Sequence, residues 1–297
     1  MFKNFSEIEK YIRDNGIVKK IALCGAHDEP ALSAVVEAVQ KGVVTATLIG
    51  NDIEIIGILQ SLGANPEDYE IIHAPDEVDS ARIAVELVKS GKADIPMKGL
   101  MQTPTYMKAI LNKETGILPP GAILSECTVF EYADADRLML VTDCAVNITP
   151  TMENKVQIIG NAVNLAGKLG IQDVKVAALS AVEKVNEKIQ SSVDAATLAK
   201  MDWSNCQVSG PLALDNAVSE EAARHKGIVN PVAGHADILL VSDLGMGNVI
   251  HKSLHYFAHA KMAGALCGTE NPVILTSRTD SAEAKYNSIL TAVLQCL

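Results

Sequence analysis

Short apolar runs alternate with amphipathic segments along almost the whole chain. The runs have the length of buried strands, whereas the segments between them repeat apolar residues with a helical period. Strands that are apolar throughout and connected by helices are typical of a parallel sheet covered on both faces. The pattern therefore predicts an α/β fold. The expected strands are residues 20–24, 43–49, 71–72, 93–97, 138–142, 174–179, 238–241 and 272–276.

Helix signals fill the intervals between these strands. Asn51 and Asp76 stand where their side chains can cap the first turn of a helix. Apolar spacing, closed by Gly268, favours one long helix over residues 248–266. Further helices are expected from Pro30 onward and over residues 105–111, 152–169 and 281–294.

The chain has 297 residues, which is enough for two domains that each bury a core. Pro119, Pro120 and Gly121 interrupt the alternation of elements, and a second α/β unit is expected to begin soon after them. The pattern leaves open which half the final strand and helix complete.

The composition argues against several classes of partner. With 48% hydrophobic and 21% charged residues, the chain has the balance of a folded globular protein. Its net charge of −11, without a cluster of lysine and arginine, disfavours nucleic acid and anionic membranes. The six cysteines lack zinc-ligand spacing, and no apolar stretch approaches the roughly 18 residues of a membrane span. A cytoplasmic protein with no nucleic-acid or membrane partner is expected.

Ligands of doubly wound sheets bind beyond the carboxyl ends of the strands, so the strand exits are the first candidates for chemistry. Lys98 ends one strand and either faces an anionic ligand or lies in solvent. A second exit offers ligand-binding or capping groups in Thr142, Asp143 and Asn147. Cys144 lies beside them and is interpreted as a small buried thiol more readily than as a nucleophile.

Two further turns combine acids with glycine or proline. Asp215 follows a rigid turn and either caps a helix or contacts a ligand. The later turn has two glycines of a dinucleotide fingerprint, but Ile250 occupies the third position, so nicotinamide binding is weakly supported. A glycine turn that opens a helix still suits phosphate through its backbone N–H groups. The candidate ligands in this turn are Asp243, Gly245, Gly247 and Asn248.

The exit of the last predicted strand brings a hydroxyl, a guanidinium and an acid together within a few residues. These are Ser277, Arg278 and Asp280. A guanidinium binds phosphate through paired donors, which a lysine cannot do. The alternative is an exposed turn in which Asp280 caps the final helix.

Three histidines recur every four residues, as metal ligands on one helical face do: His251, His255 and His259. No acidic residue stands at a matching position, so a site without a metal is expected.

Five strings, in this order, resemble the phosphate acetyltransferase/phosphate butyryltransferase family. They are VTDCA at 141–145, VAALSAVE at 176–183, GPLALD at 210–215, the segment 236–248 and LTSR at 275–278. The similarity runs from about residue 94 to the C-terminus. The short chain and the strings at 181–186 and 211–219 are similar to the butyryl branch of that family.

The resemblance implies two α/β domains with a cleft between them, similar to the isocitrate/isopropylmalate dehydrogenase architecture, in a homodimer or larger homo-oligomer. The first domain would comprise residues 1–128 and 264–297, and the second residues 129–263. The implied reaction is butanoyl-CoA + phosphate = butanoyl phosphate + CoA, by direct transfer in a ternary complex. CoA and acyl-CoA would be substrates, with no permanently bound cofactor and no metal.

The family's serine–arginine pair matches Ser277 and Arg278. Ser277 would hydrogen-bond the developing oxyanion, and Arg278 would hold phosphate with help from Lys98 and residues 245–248. The family's catalytic aspartate has no clear match, because a gap-free count ends near an alanine. Asp280 and Glu283 are the available acids, and the identity of the base stays open.

Three other functions compete with butyryl transfer. They are phosphate acetyltransferase chemistry in a smaller acyl pocket, a nicotinamide-dependent dehydrogenase, and an acyl-CoA-binding protein without turnover. At His251 relatives often have an aromatic residue, and the resemblance implies no role for this histidine.

Overall fold

The computed structural model describes residues 1–277 and 280–297. The described chain folds as two compact units. We call Met1–Asn4 with Ile123–Ala260 the central unit, and Phe5–Ala122 with Lys261–Leu297 the flanking unit. The domain boundaries expected after residues 128 and 263 stay predictions.

Strands and helices alternate along both units. The strands are β1 (Lys19–Cys24), β2 (Val44–Gly50), β3 (Glu70–His73), β4 (Ile95–Lys98), β5 (Ser125–Tyr132), β6 (Arg137–Thr142), β7 (Val174–Leu179), β8 (Cys206–Leu212), β9 (Ile238–Leu240) and β10 (Met262–Cys267). The α-helices are α1 (Phe5–Asp14), α2 (Glu29–Gln40), α3 (Asp52–Ser61), α4 (Glu77–Lys89), α5 (Thr103–Ile110), α6 (Met152–Lys168), α7 (Gln190–Leu198), α8 (Leu214–Val218), α9 (Glu220–His225), α10 (Leu244–Tyr256) and α11 (Ala282–Gln295). Two 3₁₀ turns, Pro66–Asp68 and Ala133–Ala135, complete the description. The predicted α/β class is confirmed.

The flanking unit contains a parallel sheet in the order β3-β2-β1-β4. All four residues of β4 are buried, as expected for a strand covered on both faces. The predicted caps are confirmed, because Asn51 accepts a hydrogen bond from the N–H of Glu54 and Asp76 accepts from those of Val78 and Asp79. Helix α11 packs on α2 and β10.

In the central unit the strands follow the order β5-β6-β9-β7-β8. Neighbours are parallel except for β5 and β6, which pair antiparallel. Strand β5 was not among the predicted strands, and its antiparallel pairing adds to the parallel arrangement that the pattern predicts for strands joined by helices. The physical reason is the connection: the residues between the two strands hold one 3₁₀ turn, whereas a parallel crossover needs a dozen or more residues.

The predicted helix over residues 248–266 is confirmed as far as Tyr256 and is wrong beyond it. Helix α10 begins earlier and ends at Tyr256, and β10 follows as a largely buried strand. His259 lies between them with a φ of 48°, a left-handed conformation that a helix does not continue through. Alanine, leucine and methionine in β10 have high helix propensity, and burial in the fold overrides it.

Two other features differ from the pattern. The expected strand over residues 272–276 is reduced to isolated bridges at Val273 and Ile274. Strand β8 was missed because Gly210 and Pro211, which normally interrupt strands, lie inside it.

Candidate active site

The loop after β6 is organised by one buried carboxylate. Asp143 accepts hydrogen bonds from the backbone N–H groups of Ala145 and Val146 at 2.9 Å and of Asn147 at 3.1 Å. The side-chain amide of Asn147 donates to the same carboxylate and, at 2.9 Å, to the carbonyl of Leu124. Asp143 and Asn147, predicted as ligand groups, therefore hold the shape of residues 143–147.

The first turn of α10 lies directly against this loop. A Cβ added to Gly247 would come within 2.2 Å of the carbonyl oxygen of Asp143, so this position requires glycine. The side chain of Asp243 caps the helix, accepting from the N–H of Met246 at 3.1 Å. The hydrogen bond from the Ser242 hydroxyl lowers the pKa of Asp243. Gly245 and Asn248 lie exposed on the same turns.

Thr142 and Cys144, at the end of β6, are both buried. The Thr142 hydroxyl donates to the carbonyl oxygen of Glu126 at 3.0 Å, which ties β6 to β5. Burial raises the pKa of the Cys144 thiol well above its usual value, and the charges of Glu126 and Asp143 raise it further. A thiol in this state stays protonated, so it is a poor nucleophile.

A hydrogen-bonded chain of polar side chains crosses from β5 to α10. The Thr128 hydroxyl lies 3.2 Å and 3.3 Å from the two carboxylate oxygens of Glu126 and 2.8 Å from Nδ1 of His251. Glu126 and Thr128 are both buried.

The three histidines do not share a helical face. His255 packs edge-on against Tyr256, and His259 follows the end of α10. Within residues 1–277 and 280–297, no three of the histidine, cysteine, aspartate and glutamate side chains form a group that could hold a metal. Across the same residues, no helix is long and apolar enough to cross a membrane.

Asp215 lies in the first turn of α8, and the residue that precedes the helix is Ala213. The interpretation of Asp215 as a helix N-cap is therefore wrong. Its carboxylate pairs at 3.0 Å with Lys226, whose ammonium also contacts Glu183 at 2.6 Å. Glu183 accepts a further hydrogen bond from the buried amide of Asn216 at 2.8 Å. The cluster lies just after β8.

In the flanking unit, Lys98 ends β4 and is 3% exposed. The alternative of a solvated lysine at a strand exit is therefore wrong. Its ammonium donates to the carbonyl oxygen of Gly99 at 3.2 Å. Gly99 is required here, because a Cβ would come within 2.3 Å of the carbonyl oxygen of Gly25.

The main chain of Ser277 is held from two sides. The backbone N–H of Ser277 donates to Asp280 at 2.7 Å, and the ammonium of Lys285 donates to the carbonyl oxygen of Ser277 at 2.6 Å. Burial lowers the pKa of Lys285, against the opposing charges of Asp280 and Asp28.

Glu283, the other predicted acid, lies in the first turn of α11. Glu283 lies 3.5 Å from Lys261 and is largely exposed, and Ser281 caps α11 in place of Asp280. The predicted phosphate ligand Arg278 lies outside the described residues.

Comparison with known proteins decides the family. The family model described as phosphate acetyl/butaryl transferase matches residues 68–293. A phosphate butyryltransferase of Clostridium acetobutylicum is 45% identical over 298 residues, 99% of this chain and 98% of that protein. The chain belongs to the phosphate acetyl/butyryl transferase family.

Other members of the family extend the match. A phosphate acetyltransferase of Thermotoga maritima is 40% identical over 91% of this chain and 93% of that protein. A branched-chain phosphotransacylase from Enterococcus faecalis V583 superposes with a TM-score of 0.84 at 36% identity, over 94% of this chain and 99% of that one. A phosphotransacetylase from Streptococcus pyogenes, at 24% identity and a TM-score of 0.80 over 99% of each chain, shares the fold.

Sequence reasoning missed residues that position other groups. The burial of Lys285 was missed because it lies in a predicted amphipathic helix, where a lysine ordinarily faces solvent. Glu126 and Thr128 lie in β5, which the pattern did not separate as a strand. Glu126, the one charged residue in the largely apolar segment 123–130, was the available signal.

Proposed function

We propose that this chain exchanges a butanoyl group between CoA and inorganic phosphate: butanoyl-CoA + phosphate = butanoyl phosphate + CoA. The observation that carries the proposal is the 45% identity, over nearly the full length, to phosphate butyryltransferases of two Clostridium species. CoA, acyl-CoA and phosphate are bound as substrates, and no cofactor is held permanently.

Transfer is direct, in a ternary complex of enzyme, acyl donor and acceptor. The protonated state of the Cys144 thiol supports this, because a covalent acyl-enzyme would need a thiolate or another activated nucleophile. No metal takes part in the proposed reaction.

Ser277 is the proposed donor to the carbonyl oxygen of the acyl group, where negative charge develops during attack. Asp280 and Lys285 hold the N–H and the carbonyl of its main chain, so the backbone that carries the hydroxyl is held in place. Asp280 is thereby proposed as a positioning residue, and its role as base, like that of Glu283, stays a prediction.

Anionic groups of the substrates are proposed to contact Lys98 and the backbone N–H groups at residues 245–248. The ammonium of Lys98 is buried, which strengthens its attraction for a nearby anion. The first turn of α10 presents N–H groups and the positive end of the helix dipole. Arg278 as a phosphate ligand and Asp215 as a substrate contact stay predictions from the family resemblance.

The finer architecture is also proposed. We infer an arrangement of two α/β domains like that of isocitrate and isopropylmalate dehydrogenases. A cytoplasmic location is inferred too, supported by six cysteines that are all free thiols.

A homodimer or larger homo-oligomer is proposed because α10 has an unusual surface. Among its thirteen residues, all of them described, Gly247 is the buried one. Val249 is 65% exposed, and Tyr256 and Phe257 at its end are 54% and 85% exposed. Exposed aromatic and aliphatic side chains on one helix are typical of an interface between subunits.

The acyl group is tested by measuring phosphate-dependent thiol release from acetyl-, propanoyl-, butanoyl- and hexanoyl-CoA. We expect kcat/KM to be highest with butanoyl-CoA and to fall by about 10²-fold or more for acetyl-CoA, since each of the two lost methylenes weakens binding in an apolar pocket by about tenfold or more. A preference for acetyl-CoA would assign the chain to acetyl transfer. Tight CoA binding without thiol release would instead identify a binding protein.

A further inference from the structure

Lys285 is buried in the first turn of helix α11, where two physical effects oppose a positive charge. The residue is 2% exposed, and moving an ammonium out of water costs free energy unless its contacts offset the loss of hydration. The first turn of a helix is also the positive end of its dipole, which disfavours a cation there. A lysine kept in such a position is a candidate for a functional role.

The contacts of this ammonium lead to the predicted serine. Nζ of Lys285 donates to the carbonyl oxygen of Ser277 at 2.6 Å and to the hydroxyl oxygen of Thr276 at 3.3 Å. Both acceptors are neutral oxygens, so these contacts offset only part of the cost of burying the charge. A hydrogen bond from an ammonium is roughly twice as strong as one between neutral groups. The charge of Lys285 therefore strengthens the hold on the main chain of Ser277.

Ser277 is exposed, while its main chain is held by two charged groups. Its N–H donates to the carboxylate of Asp280 at 2.7 Å, and its carbonyl accepts from the ammonium of Lys285. The peptide groups on both sides of its Cα are thus fixed by charge-assisted hydrogen bonds. Such a backbone limits the directions in which the hydroxyl can point.

We propose that Lys285 is a positioning residue of the acyl exchange, whose positive charge holds the carbonyl of Ser277 and thereby directs the Ser277 hydroxyl toward the acyl group. This role rests on the proposed function, in which Ser277 donates to the carbonyl oxygen of the acyl group. Lys285 acts through Ser277 and does not itself contact the substrate. Its charge, and not only its bulk, is required.

Two acids on different segments keep Lys285 charged. Burial lowers the pKa of Lys285, and the charges of Asp280 and of Asp28, which precedes α2, oppose that decrease. Helices α1 and α2 and strand β10 pack against α11, and β10 has no charged side chain. Charged groups from the two helices contact the next residue of α11, Tyr286: Glu9 and Lys41.

The main variant is Lys285→Met, which keeps a long apolar side chain and removes the charge. We expect kcat to fall about 10- to 100-fold, with KM for acyl-CoA changed less than about threefold, because the serine is misdirected while binding is kept. The midpoint of urea unfolding should equal or exceed that of the wild type, because a desolvated charge is removed. The matched control is Lys108→Met, at an exposed position of α5, with activity and midpoint unchanged.

A double-mutant cycle tests whether Lys285 acts through the serine. Ser277→Ala removes the hydroxyl that Lys285 is proposed to direct. In that background Lys285→Met should lower kcat by less than about twofold, since contacts that act as a unit are not additive. If Lys285→Met lowers kcat equally with and without the Ser277 hydroxyl, its role is independent of the serine and the proposal is wrong.

The pH profile gives a second readout. A neutral amine holds a carbonyl less firmly than an ammonium, so kcat should fall as pH rises through a value below the usual lysine pKa of about 10.4. Asp28→Asn removes a charge that favours the ammonium and should move this fall to lower pH. The control is Glu29→Gln, at the exposed acid next to Asp28, with an unchanged profile.

NMR of the protein with ¹³C-labelled lysine follows the same proton without turnover. The Cε signal of Lys285, assigned by its loss in Lys285→Arg, should titrate at lower pH than the exposed lysines and at still lower pH in Asp28→Asn. This measurement uses variants that keep a charge or an amide at the altered position, so it applies even where Lys285→Met fails to fold.

Three results overturn the proposal. One is Lys285→Met with kcat within about threefold of the wild type; another is a urea midpoint that falls together with kcat, which makes Lys285 a structural residue. The third is a Lys285 signal, and a kcat profile, that Asp28→Asn does not move. Absence of phosphate-dependent thiol release in the wild type would refute the proposed function separately, while the NMR titration still reports the buried charge.

Discussion

Single residues around the β6 exit act mainly by fixing backbone. Both carboxylate oxygens of Asp143 accept hydrogen bonds from N–H groups of its own loop. Sequence alone could indicate that polar groups gather at this exit, since they follow a buried strand. It could not separate groups that contact a ligand from groups that shape the loop, because that depends on contacts between β5, the loop and α10.

The close approach at Gly247 predicts that an added side chain lowers the stability of the protein. Replacing it by alanine places a methyl group against a backbone carbonyl 2.2 Å away, so α10 or the loop must shift. We expect Gly247→Ala to reduce the free energy of unfolding by about 1–3 kcal/mol, as overpacking does. The measurement is urea unfolding followed by circular dichroism.

The matched control is Gly245→Ala in the same helix. Among the atoms that the structure describes, its Cβ would meet the side chain of Asp243, at 3.1 Å. Alanine favours helix over glycine by up to about 1 kcal/mol, so this variant should be neutral or slightly more stable. Equal losses in the two variants would contradict the close approach at Gly247.

At the scale of elements, α6 and α7 are joined by an ion pair between Lys155 and Asp194. The two side chains are 6% and 17% exposed, and their charged atoms lie 2.5 Å apart. Removing one partner of a buried pair leaves an uncompensated charge. We expect Asp194→Ala to lower the free energy of unfolding by about 3–5 kcal/mol, measured by denaturant titration.

An exposed pair on α4 is the comparison. Arg82 and Glu86 lie 2.9 Å apart, with both side chains about half exposed. Glu86→Ala should therefore cost less than about 1 kcal/mol. A loss of similar size in Asp194→Ala would show that the buried pair contributes no more than a surface pair.

The cap of α10 predicts a dependence of stability on pH. The folded-state pKa of Asp243 is lowered, chiefly by the Ser242 hydroxyl, so its contribution is present above the unfolded pKa of about 3.9. That contribution is lost as pH falls through the lower folded value. Between pH 5 and pH 3, wild type should lose more stability than Asp243→Asn, which keeps the capping oxygen. If the free energy of unfolding fell equally with pH in the two proteins, the ionised Asp243 would have no such stabilising role.

Elements with a distinct apolar period were predictable from sequence. Strand β7 and helix α6 lie within one residue of their expected ends. The segment 257–267 was not predictable, because its alanine, leucine and methionine favour a helix while its burial in the fold makes it a strand. The antiparallel β5 was missed for a related reason, since Glu126 breaks its apolar pattern.

At the scale of the whole molecule, the exposed face of α10 predicts self-association. Phe257→Glu, at an 85% exposed position, places a charge where an apolar interface is expected. Sedimentation velocity should show the wild type as a dimer or larger and the variant shifted toward monomer. Val229→Glu, at an exposed position outside α10, serves as the control. A monomeric wild type would rule out the interface.

The family could be recognised from sequence because five short strings occur in the right order. The catalytic base could not be assigned, because the segment after Arg278 departs from the family's pattern.

The proposed reaction exchanges an acyl group between CoA and phosphate. To test it, the purified protein is incubated with butanoyl-CoA, with and without inorganic phosphate, and free thiol and acyl phosphate are measured in the same samples. We predict that thiol appears only with phosphate and in equal amount to butanoyl phosphate. Thiol release that is independent of phosphate, or no release in its presence, would contradict the account.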